Sequence, residues 1–502
     1  MPYLLKAQPY DPDIGGTRTL YVSDIGFTTE PGDSPANTYW ERRIDAPLTI
    51  RRSLFNGSAI GGFSSAAFGS TLVANSDGGV DHWTDYEWDG RLVEILYTGN
   101  GTPTLSDFAV IFSGTAEQVV PGDDLEIVLA DLQVLLDKPA SRGTFAGTGG
   151  IEGTAELKGR EKPFLLGIKR RFTPVLINAA LNIYMIDPEG FHELIDAEDG
   201  GDPFTVAGAD QASYAALAAL SMTGLDYATA KAAGLIRLAT PPVYAFTVSA
   251  KGVAPGGTWI ARYADLVEHA VTSFTTLTAG DLDAASFTAM NGLQPAELGY
   301  WYDGGGELTV RQLVDELSDT VGAWWGFDEG RKLEVGRYDE PAVTADFEFT
   351  ERDILDLRPR AAARRVKTVQ LGYRHYATLL TSESQFAGTP TDAFRESAGA
   401  AYRWTDASAD AAPESLLGET LRKETLFDAE ADAEAERDRL ADLLGARRKA
   451  FDVVVPLTPG LEVGHTVRLT DSRYGLSAGR NFRVLETVRD ASAETHTLTV
   501  TG

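Results

Sequence analysis

The chain has 502 residues, with 73 acidic and 44 basic side chains and a formal net charge of −29 at pH 7. This length leaves room for three or four domains of about 100–200 residues, and a hydrophobic content of 43% excludes disorder as the state of the whole chain. The acidic excess argues against stable binding to nucleic acid or to an anionic membrane, and the absence of cysteine excludes disulfides, thiolate zinc sites and cysteine nucleophiles.

The first 136 residues are predicted to form a β domain. Apolar or alternating stretches separated by short polar turns are typical of a sandwich or barrel rather than of β-α-β units. These stretches are residues 17–22, 40–50, 91–97, 104–113 and 124–136. The sequence Val120-Pro121-Gly122-Asp123 predicts the turn between the last two. The N-terminus lacks the apolar core of a signal peptide, and no run is long enough for a membrane span.

Residues 137–260 are predicted to form a second β domain. It begins with a linker that is rich in glycine, threonine and basic residues and leads into a strand at 165–168. A largely apolar stretch at 174–186 is compatible with one buried strand, and 243–250 is a further strand. Helical patterns are found at 211–220 and at 226–233, the second of which ends at Gly234.

Residues 261–340 are predicted to form a helical insert followed by a β-hairpin at 323–337. Helices are expected at 261–275, 281–292 and 310–321, with Thr309 as the N-cap of the third. In this third helix the apolar side chains fall on one face, because they recur at helical spacing.

Residues 341–502 are predicted to form a C-terminal β domain that contains one acidic helix, at 425–448. The acids of this helix lie early and its basic residues late, as the helix dipole prefers. Strands are expected at 451–457, 465–470, 480–488 and 496–501. Together these elements predict a β-rich α+β fold with several barrel- or sandwich-like β domains and helical inserts.

No motif predicts a catalytic, cofactor or metal site. The run His192-Glu193-Leu194-Ile195-Asp196 has aspartate where a zincin helix needs its second histidine. The glycine-rich run at 147–153 places Glu152 where a dinucleotide-binding loop needs glycine, and no P-loop lysine follows. The six histidines are scattered along the sequence, which lowers the chance of a catalytic triad without excluding one. We therefore expect no enzyme and no cofactor.

Trp324 and Trp325, beside Asp328 and Glu329, are the nearest candidate for the sugar-stacking floor of a glycosidase. Such an enzyme would also need two acids in contrasting environments, which a sequence does not show. A tryptophan pair of this kind is more often the core and the rim of a β-hairpin, and this is the preferred interpretation.

The clearest charge anomaly is a run of six cations without an acid, inside a strongly acidic protein. This cationic cluster consists of Arg358, Arg360, Arg364, Arg365, Lys367 and Arg374. We predict that it is an interface that meets the acidic helix of the same chain or of a neighbouring copy. The acids concerned are Asp428, Glu430, Asp432, Glu434, Glu436 and Asp438. A solvated strand face is the alternative.

The C-terminal sequence has a recognisable order of motifs. The strand sequence at 461–469 (LEVGHTVRL) is followed by the turn Tyr474-Gly475-Leu476 and the strand Phe482-Arg483-Val484. This order resembles the closing β domain of tail-tip and baseplate hub proteins from long-tailed phages and gene transfer agents. The segments at 162–167 (KPFLLG) and 309–335 are similar to other parts of those hubs.

The resemblance covers residues 150–502 and implies a hub of barrel-like domains. Such hubs form a homotrimeric ring that closes the tail tube and contacts the distal tail ring, the tape measure and the fibres or spike. It implies a structural protein at the tail tip of a virion, made in the host cytoplasm without a signal peptide. Residues 1–135 match no standard hub domain, and an attachment or adaptor module is an alternative for them.

Two other functions stay open. In a receptor-binding or fibre-adaptor protein, exposed aromatic residues such as Trp83, Tyr86 and Trp88 would form the binding surface. In a tail-associated cell-wall hydrolase, the catalytic residues would come from distant parts of the sequence.

Overall fold

The computed structural model describes residues 2–55, 65–130, 132–328 and 330–502. Within these ranges the chain forms 31 β-strands and six α-helices, joined by loops that contain short turns of 3-10 helix. The fold is therefore β-rich α+β with several separate sheets, as the sequence predicts.

Eleven strands form the N-terminal β domain. Strands β1–β11 are Tyr3–Ala7, Tyr10–Asp11, Gly16–Thr17, Leu20–Ser23, Phe27–Thr28, Tyr39–Arg42, Ile44–Ser53, Ser65–Ala74, Arg91–Tyr97, Ala109–Val120 and Asp124–Ala130. The order β7-β8-β11-β10-β9-β1 is antiparallel throughout. Alternation along these strands places Val93, Ile95, Leu125 and Ile127 in one core.

The middle of the chain forms smaller sheets and a helical group. Strands β12–β22 are Phe164–Phe172, Val175–Asn178, Ile183–Met185, Glu193–Asp199, Asp202–Pro203, Tyr227–Ala230, Leu235–Leu238, Phe246–Lys251, Gly299–Tyr302, Ala323–Phe327 and Leu333–Arg337. Helices α1–α4 are Tyr214–Ala219, Tyr263–Phe274, Ala284–Leu293 and Val310–Thr320. The predicted cap is confirmed, because Thr309 Oγ1 accepts a hydrogen bond of 3.2 Å from the Gln312 amide.

The remaining elements belong to the C-terminal part of the chain. Strands β23–β31 are Phe347–Thr350, Asp356–Arg360, Val366–Tyr373, Arg403–Trp404, Glu419–Glu424, Ala450–Pro456, Thr466–Asp471, Leu476–Asp490 and Thr495–Thr501, and helices α5 and α6 are Asp392–Gly399 and Glu430–Gly445. Six of these strands run in the order β24-β28-β31-β30-β29-β23 around a core that includes Val467, Leu476, Phe482 and Val484. The residues that carry the hub resemblance are therefore largely core residues of this domain.

The two terminal β domains are joined edge to edge. Strand β7 pairs with β30 in antiparallel register from Thr49↔Asp490 to Ser53↔Glu486, so one sheet runs through both domains. Leu457 and Ala491 of the C-terminal part also lie in the core of the N-terminal domain. The two ends of the chain consequently form one continuous β structure.

A buried ion cluster lies at this junction and consists of Arg52, Glu462 and Arg489. Arg489 donates to the Ile111 carbonyl at 2.7 Å and to Glu462 Oε1 at 2.8 Å, and Arg52 donates to Glu462 Oε2 at 3.0 Å. Burial alone would raise the pKa of Glu462, but Arg489 and Arg52 overcome that effect and lower it to about 2. Burial followed by Arg489 lowers the pKa of the adjacent His496 to about 3, so its ring is neutral at pH 7.

The strand predicted at 124–136 ends at Ala130, because Leu132–Leu136 form a 3-10 helix, and three further predicted elements differ more strongly from the structure. The stretch at 226–233 is not a helix: Tyr227–Ala230 pairs with β18, which buries Ala228 and Ala230, and only Lys231–Ala233 forms a 3-10 turn. Tertiary pairing overrides the helical preference of alanine here. The stretch at 174–186 is a pair of strands, β13 and β14, rather than one strand. The expected linker is a folded loop that buries Phe145 against β13 and β14.

The structure contains no membrane-spanning helix in the residues that it describes.

Candidate interaction surface

The cationic cluster lies on an edge of the C-terminal domain. Arg358 and Arg360 are on β24, which ends the sheet and contains Pro359. Arg364 lies in the exposed segment 361–364 that leads to β25. Charged residues and proline on an edge strand hinder uncontrolled pairing with another sheet. Arg358, Arg360 and Arg364 therefore lie at a solvated edge, whereas the other three cations lie on or beside β25, in a separate three-stranded sheet: Arg365, Lys367 and Arg374.

Each of the six cations has an acidic partner in the same chain. The pairs are Arg358–Asp356 at 2.6 Å, Arg360–Asp452 at 3.1 Å, Arg364–Glu419 at 3.1 Å, Lys367–Asp410 at 3.6 Å, Arg374–Asp428 at 4.0 Å, and Arg365 with Glu414. Of these partners only Asp428 belongs to the acidic set around α6. Contact between the cluster and the helix of a neighbouring copy stays a prediction.

Two of the six acids around α6 are not available to a partner. Arg170 holds Asp428 through two hydrogen bonds of 2.9 and 2.8 Å, and Arg439 donates to Glu436 at 2.8 Å. Asp428 is 8% exposed and Glu436 is 2% exposed, because α6 turns this side towards the protein. Asp428 meets Arg374 of the cationic cluster in the same chain at 4.0 Å, which is one of the two predicted kinds of contact, and neither Asp428 nor Glu436 is open to a neighbouring copy. The accessible acids are Glu430 and Asp438, which are exposed, and Asp432 and Glu434, which are half-buried.

A cleft of about 710 Å³ lies beside the cationic cluster. Five arginines line it, of which three belong to the cluster and two follow α6: Arg360, Arg364, Arg365, Arg447 and Arg448. Apolar side chains from five elements line the rest, namely Val366, Leu421, Leu443, Leu444, Leu485 and Val500. This basic cleft combines an apolar wall with positive charge, which suits a partner segment that carries apolar and acidic side chains.

A loop next to the basic cleft exposes two leucines. Leu416 is 94% exposed and Leu417 is 74% exposed, and they precede Glu419 and Leu421, which line the cleft. Glu414 of the same loop is bonded to Arg365, so the loop is anchored at the cationic cluster. Adjacent exposed leucines beside an apolar cleft are typical of a surface that is covered in an assembly.

The zincin-like run forms a strand and not a helix. His192 is exposed and stacks on Trp259 with ring centroids 6.3 Å apart, and Glu193 begins β15 and pairs with Lys251 at 2.8 Å. In the described part of the chain, no group of three or more His, Asp or Glu side chains is placed to hold a metal ion.

The glycine-rich run folds around its own glutamate. Glu152 accepts hydrogen bonds from Lys162 at 2.8 Å and from the Ala146 amide at 3.1 Å. The carboxylate therefore occupies the centre of this loop, where a bound phosphate would be repelled.

The aromatic residues of the adaptor hypothesis are not a surface. Trp83 and Trp88 are each 4% exposed and belong to the core of the N-terminal domain, and Tyr86 is half-buried. Trp88 Nε1 donates to the Trp83 carbonyl at 2.8 Å, so its polar atom is satisfied inside the protein. The expectation of an exposed aromatic patch at these positions is wrong.

The tryptophan pair lies on a β-hairpin, as the preferred interpretation of the sequence predicts. Trp325 is fully buried and donates to Asp315 at 2.7 Å, whereas Trp324 is half-buried on the opposite face. Asp328 accepts from the Lys332 amide within the turn. Glu329, the other acid of the glycosidase hypothesis, lies outside the described residues.

The sequence analysis did not identify two arginines that line the basic cleft, or the leucine pair beside it. Arg447 and Arg448 were interpreted only as the basic end of a helix, although they lie beyond its last residue, Gly445. The Leu416-Leu417 pair beside the cleft was also missed, and its place between Pro413 and Gly418, which favour a loop, is the signal that could have marked it.

No protein-family model matches the sequence, and no curated protein matches it. Among solved structures, the chain is similar to the 43 kDa tail protein of prophage MuSo2 from Shewanella oneidensis, with 11% identity, a TM-score of 0.42 and coverage of 100% of this chain and 98% of that chain. A tail protein from Neisseria meningitidis MC58 shows 10% identity, a TM-score of 0.40 and coverage of 100% and 96%. A chain of the virion of a native gene transfer agent particle shows 14% identity, a TM-score of 0.38 and coverage of 68% and 84%. TM-scores at this level do not establish a shared fold.

Proposed function

We propose that this chain is a structural protein of a phage tail, and specifically the central hub of the tail tip, which closes the tail tube and joins it to fibres or spike. It works by assembly and not by turnover. The observation that carries the proposal is the basic cleft with its exposed leucine loop. Its arginines and apolar side chains suit contact with another protein. The hub assignment itself rests on the resemblance of the C-terminal motifs.

The architecture supports a load-bearing role. The two terminal β domains share a sheet through β7 and β30, and the buried ion cluster of Arg52, Glu462 and Arg489 adds polar contacts across the same junction. Such a junction resists relative motion of the domains, because separating them would break the β7–β30 backbone pairing and the Arg52–Glu462 pair and would expose Leu457 and Ala491 to water. A rigid subunit is what a closed ring requires.

The charge distribution supports contacts between copies. In a homotrimer with head-to-tail contacts, one face of each copy meets a different face of the next. The basic cleft offers the positive face, and the exposed acids Glu430 and Asp438, with the half-buried Asp432 and Glu434, offer a negative one. The remaining surfaces would contact the distal tail ring, the tape measure and the fibres or spike. The net charge of −29 disfavours a stable complex with nucleic acid.

The proposal is tested by locating the protein in assembled particles. We expect a tag on the chain, imaged with a labelled antibody, to mark one end of the tail and nowhere else. A label along the tube, or no label on purified virions, would contradict the tail-tip assignment.

The two alternatives have their own tests. Binding of the purified chain to host cells would favour a receptor-binding or adaptor protein. Clearing of host peptidoglycan in a zymogram would favour a cell-wall hydrolase. We expect neither, because the exposed aromatic surface of the first is absent at Trp83 and Trp88 and no motif of the second is present in the sequence.

A further inference from the structure

A second pocket, separate from the basic cleft, lies between the β21–β22 hairpin, helix α3 and the loop before β29. Its volume is about 250 Å³. The lining includes Met290, Leu293, Trp324, Glu334, Gly336 and His465. The residues of this Trp324 pocket do not overlap those of the basic cleft.

The floor of the Trp324 pocket follows from the register of the hairpin. Trp324 is opposite Gly336, and Glu334 is opposite Gly326, so these four residues share the outward face. A Cβ on Gly336 would lie 2.5 Å from the indole of Trp324, and one on Gly464 would lie 2.7 Å from it. The indole therefore lies directly on the backbone at two glycines, Gly336 and Gly464.

Two polar groups stand at this floor. Burial raises the pKa of Glu334 to about 8, and the nearby Glu462 adds to the effect, so the carboxyl group is mainly protonated at pH 7 and can both donate and accept hydrogen bonds. His465 Nδ1 accepts a hydrogen bond of 3.1 Å from the Glu462 amide. In the neutral ring the proton is then on Nε2, which makes that atom a donor.

We propose that the Trp324 pocket binds one neutral hexose unit of a glycan. The apolar C–H face of a pyranose ring stacks on the indole, while its hydroxyl groups pair with the carboxyl of Glu334 and with His465 Nε2. Met290 and Leu293 supply an apolar wall, and Leu293 is 49% exposed at the mouth. Neither lysine nor arginine is among the described residues that line the pocket, so an anionic sugar has no counter-charge there.

The proposal is tested by saturation-transfer NMR on the full chain with glucose, galactose, mannose and N-acetylglucosamine, each at about 10 mM, a concentration suited to the weak affinity of single sugars. We expect saturable transfer to at least one of them. Trp324→Ala should weaken that binding by about tenfold or more, which corresponds to about 1.4 kcal/mol. Trp404→Ala is the matched control, because that indole stacks on Arg422 at 3.8 Å outside the pocket.

A second variant keeps the proposal testable if Trp324→Ala does not fold. Leu293→Arg places a long side chain at the exposed mouth of the pocket and leaves the core intact, and it should reduce sugar binding to a similar extent. Far-ultraviolet circular dichroism and thermal unfolding would verify the fold of each variant. The proposal is overturned if the wild-type chain gives no transfer with any of the four sugars, or if both pocket variants bind as the wild type does. Either result would leave the hub proposal intact.

Discussion

The domain junction and the basic cleft use the same chemistry in two different settings. At the junction, the side chains of Arg489 and Glu462 are 4% and 10% exposed. At the cleft, those of Arg364 and Glu419 are 70% and 64% exposed. Both pairs join a guanidinium to a carboxylate at about 3 Å. The junction pair is closed to solvent and has further partners in Arg52 and the Ile111 carbonyl, whereas the cleft pair is open to solvent.

That difference decides what each pair can do. A buried pair has given up its hydration, so removal of one partner leaves an uncompensated charge in the protein. An exposed pair contributes little to stability, is screened by salt and exchanges readily with water or with another charge. The junction therefore holds the chain together, whereas the cleft can release its internal partners in favour of an acidic surface on another molecule.

The largest effect is expected from breaking the junction. Glu462→Gln keeps the shape of the side chain but removes the buried carboxylate that pairs with both Arg52 and Arg489, and we expect it to lower the free energy of unfolding by about 3–5 kcal/mol. Urea denaturation followed by tryptophan fluorescence measures this change. A loss below about 1 kcal/mol, the range of an exposed pair, would remove the distinction between the two regions.

The same carboxylate predicts a pH dependence. The pKa of Glu462 is lowered from 4.5 to about 2, so the folded state holds the ionised form more tightly than the unfolded state does. Its contribution is therefore present above pH 4.5 and is lost as the pH falls towards about 2. We expect the stability difference between wild type and Glu462→Gln to shrink over this interval in urea titrations. A difference that is constant from pH 7 down to pH 3 would contradict the ionic origin of the junction.

At the basic cleft, the expected effect is on assembly and not on folding. Arg364→Glu combined with Arg365→Glu should weaken association between copies by about tenfold at low salt, with a smaller effect at high salt because the contact is screened. Light scattering over a concentration series measures association, and urea denaturation verifies that the fold is intact. Arg395→Glu with Arg403→Glu makes the same charge change on another surface and should leave assembly unaffected. Equal effects of the two double variants, or unchanged assembly across the salt series, would reject the cleft as an interface.

The smallest effect is expected from an exposed pair alone. Glu419→Gln removes the partner of Arg364, and we expect the free energy of unfolding to change by less than about 1 kcal/mol. The measurement is the same urea titration as for Glu462→Gln. A loss comparable to that of the junction variant would show that solvent exposure does not distinguish the two regions.

Local signals in the sequence identified many elements correctly. Strand β9 spans the predicted residues 91–97, and helix α4 begins after its predicted cap, Thr309. Alternation and capping are properties of neighbouring residues, so they can be seen without the fold. The helix prediction at 226–233 was wrong for the same reason. Its alanines favour a helix locally, but pairing with β18 makes Tyr227–Ala230 a strand.

Two features could not be predicted from local signals: the junction between the terminal β domains, and which side of α6 packs against the protein. Strands β7 and β30 lie at opposite ends of the chain, and nothing within either strand specifies the other as its partner. Likewise, Asp428 and Glu436 look like surface acids until Arg170 and Arg439 are placed against them. The predicted division at 136, 260 and 340 stays a proposal, and one core that runs from Leu132 to Ala441 crosses all three of these boundaries.

The central claim, that the chain is a ring-forming structural protein, is tested most directly by its native mass in light scattering at low and moderate salt. We expect a mass of about 162 kDa, three times the 54.0 kDa of one chain, for a closed three-fold ring. A mass of one chain at every concentration and salt condition would contradict self-assembly through the basic cleft and would favour an adaptor protein instead.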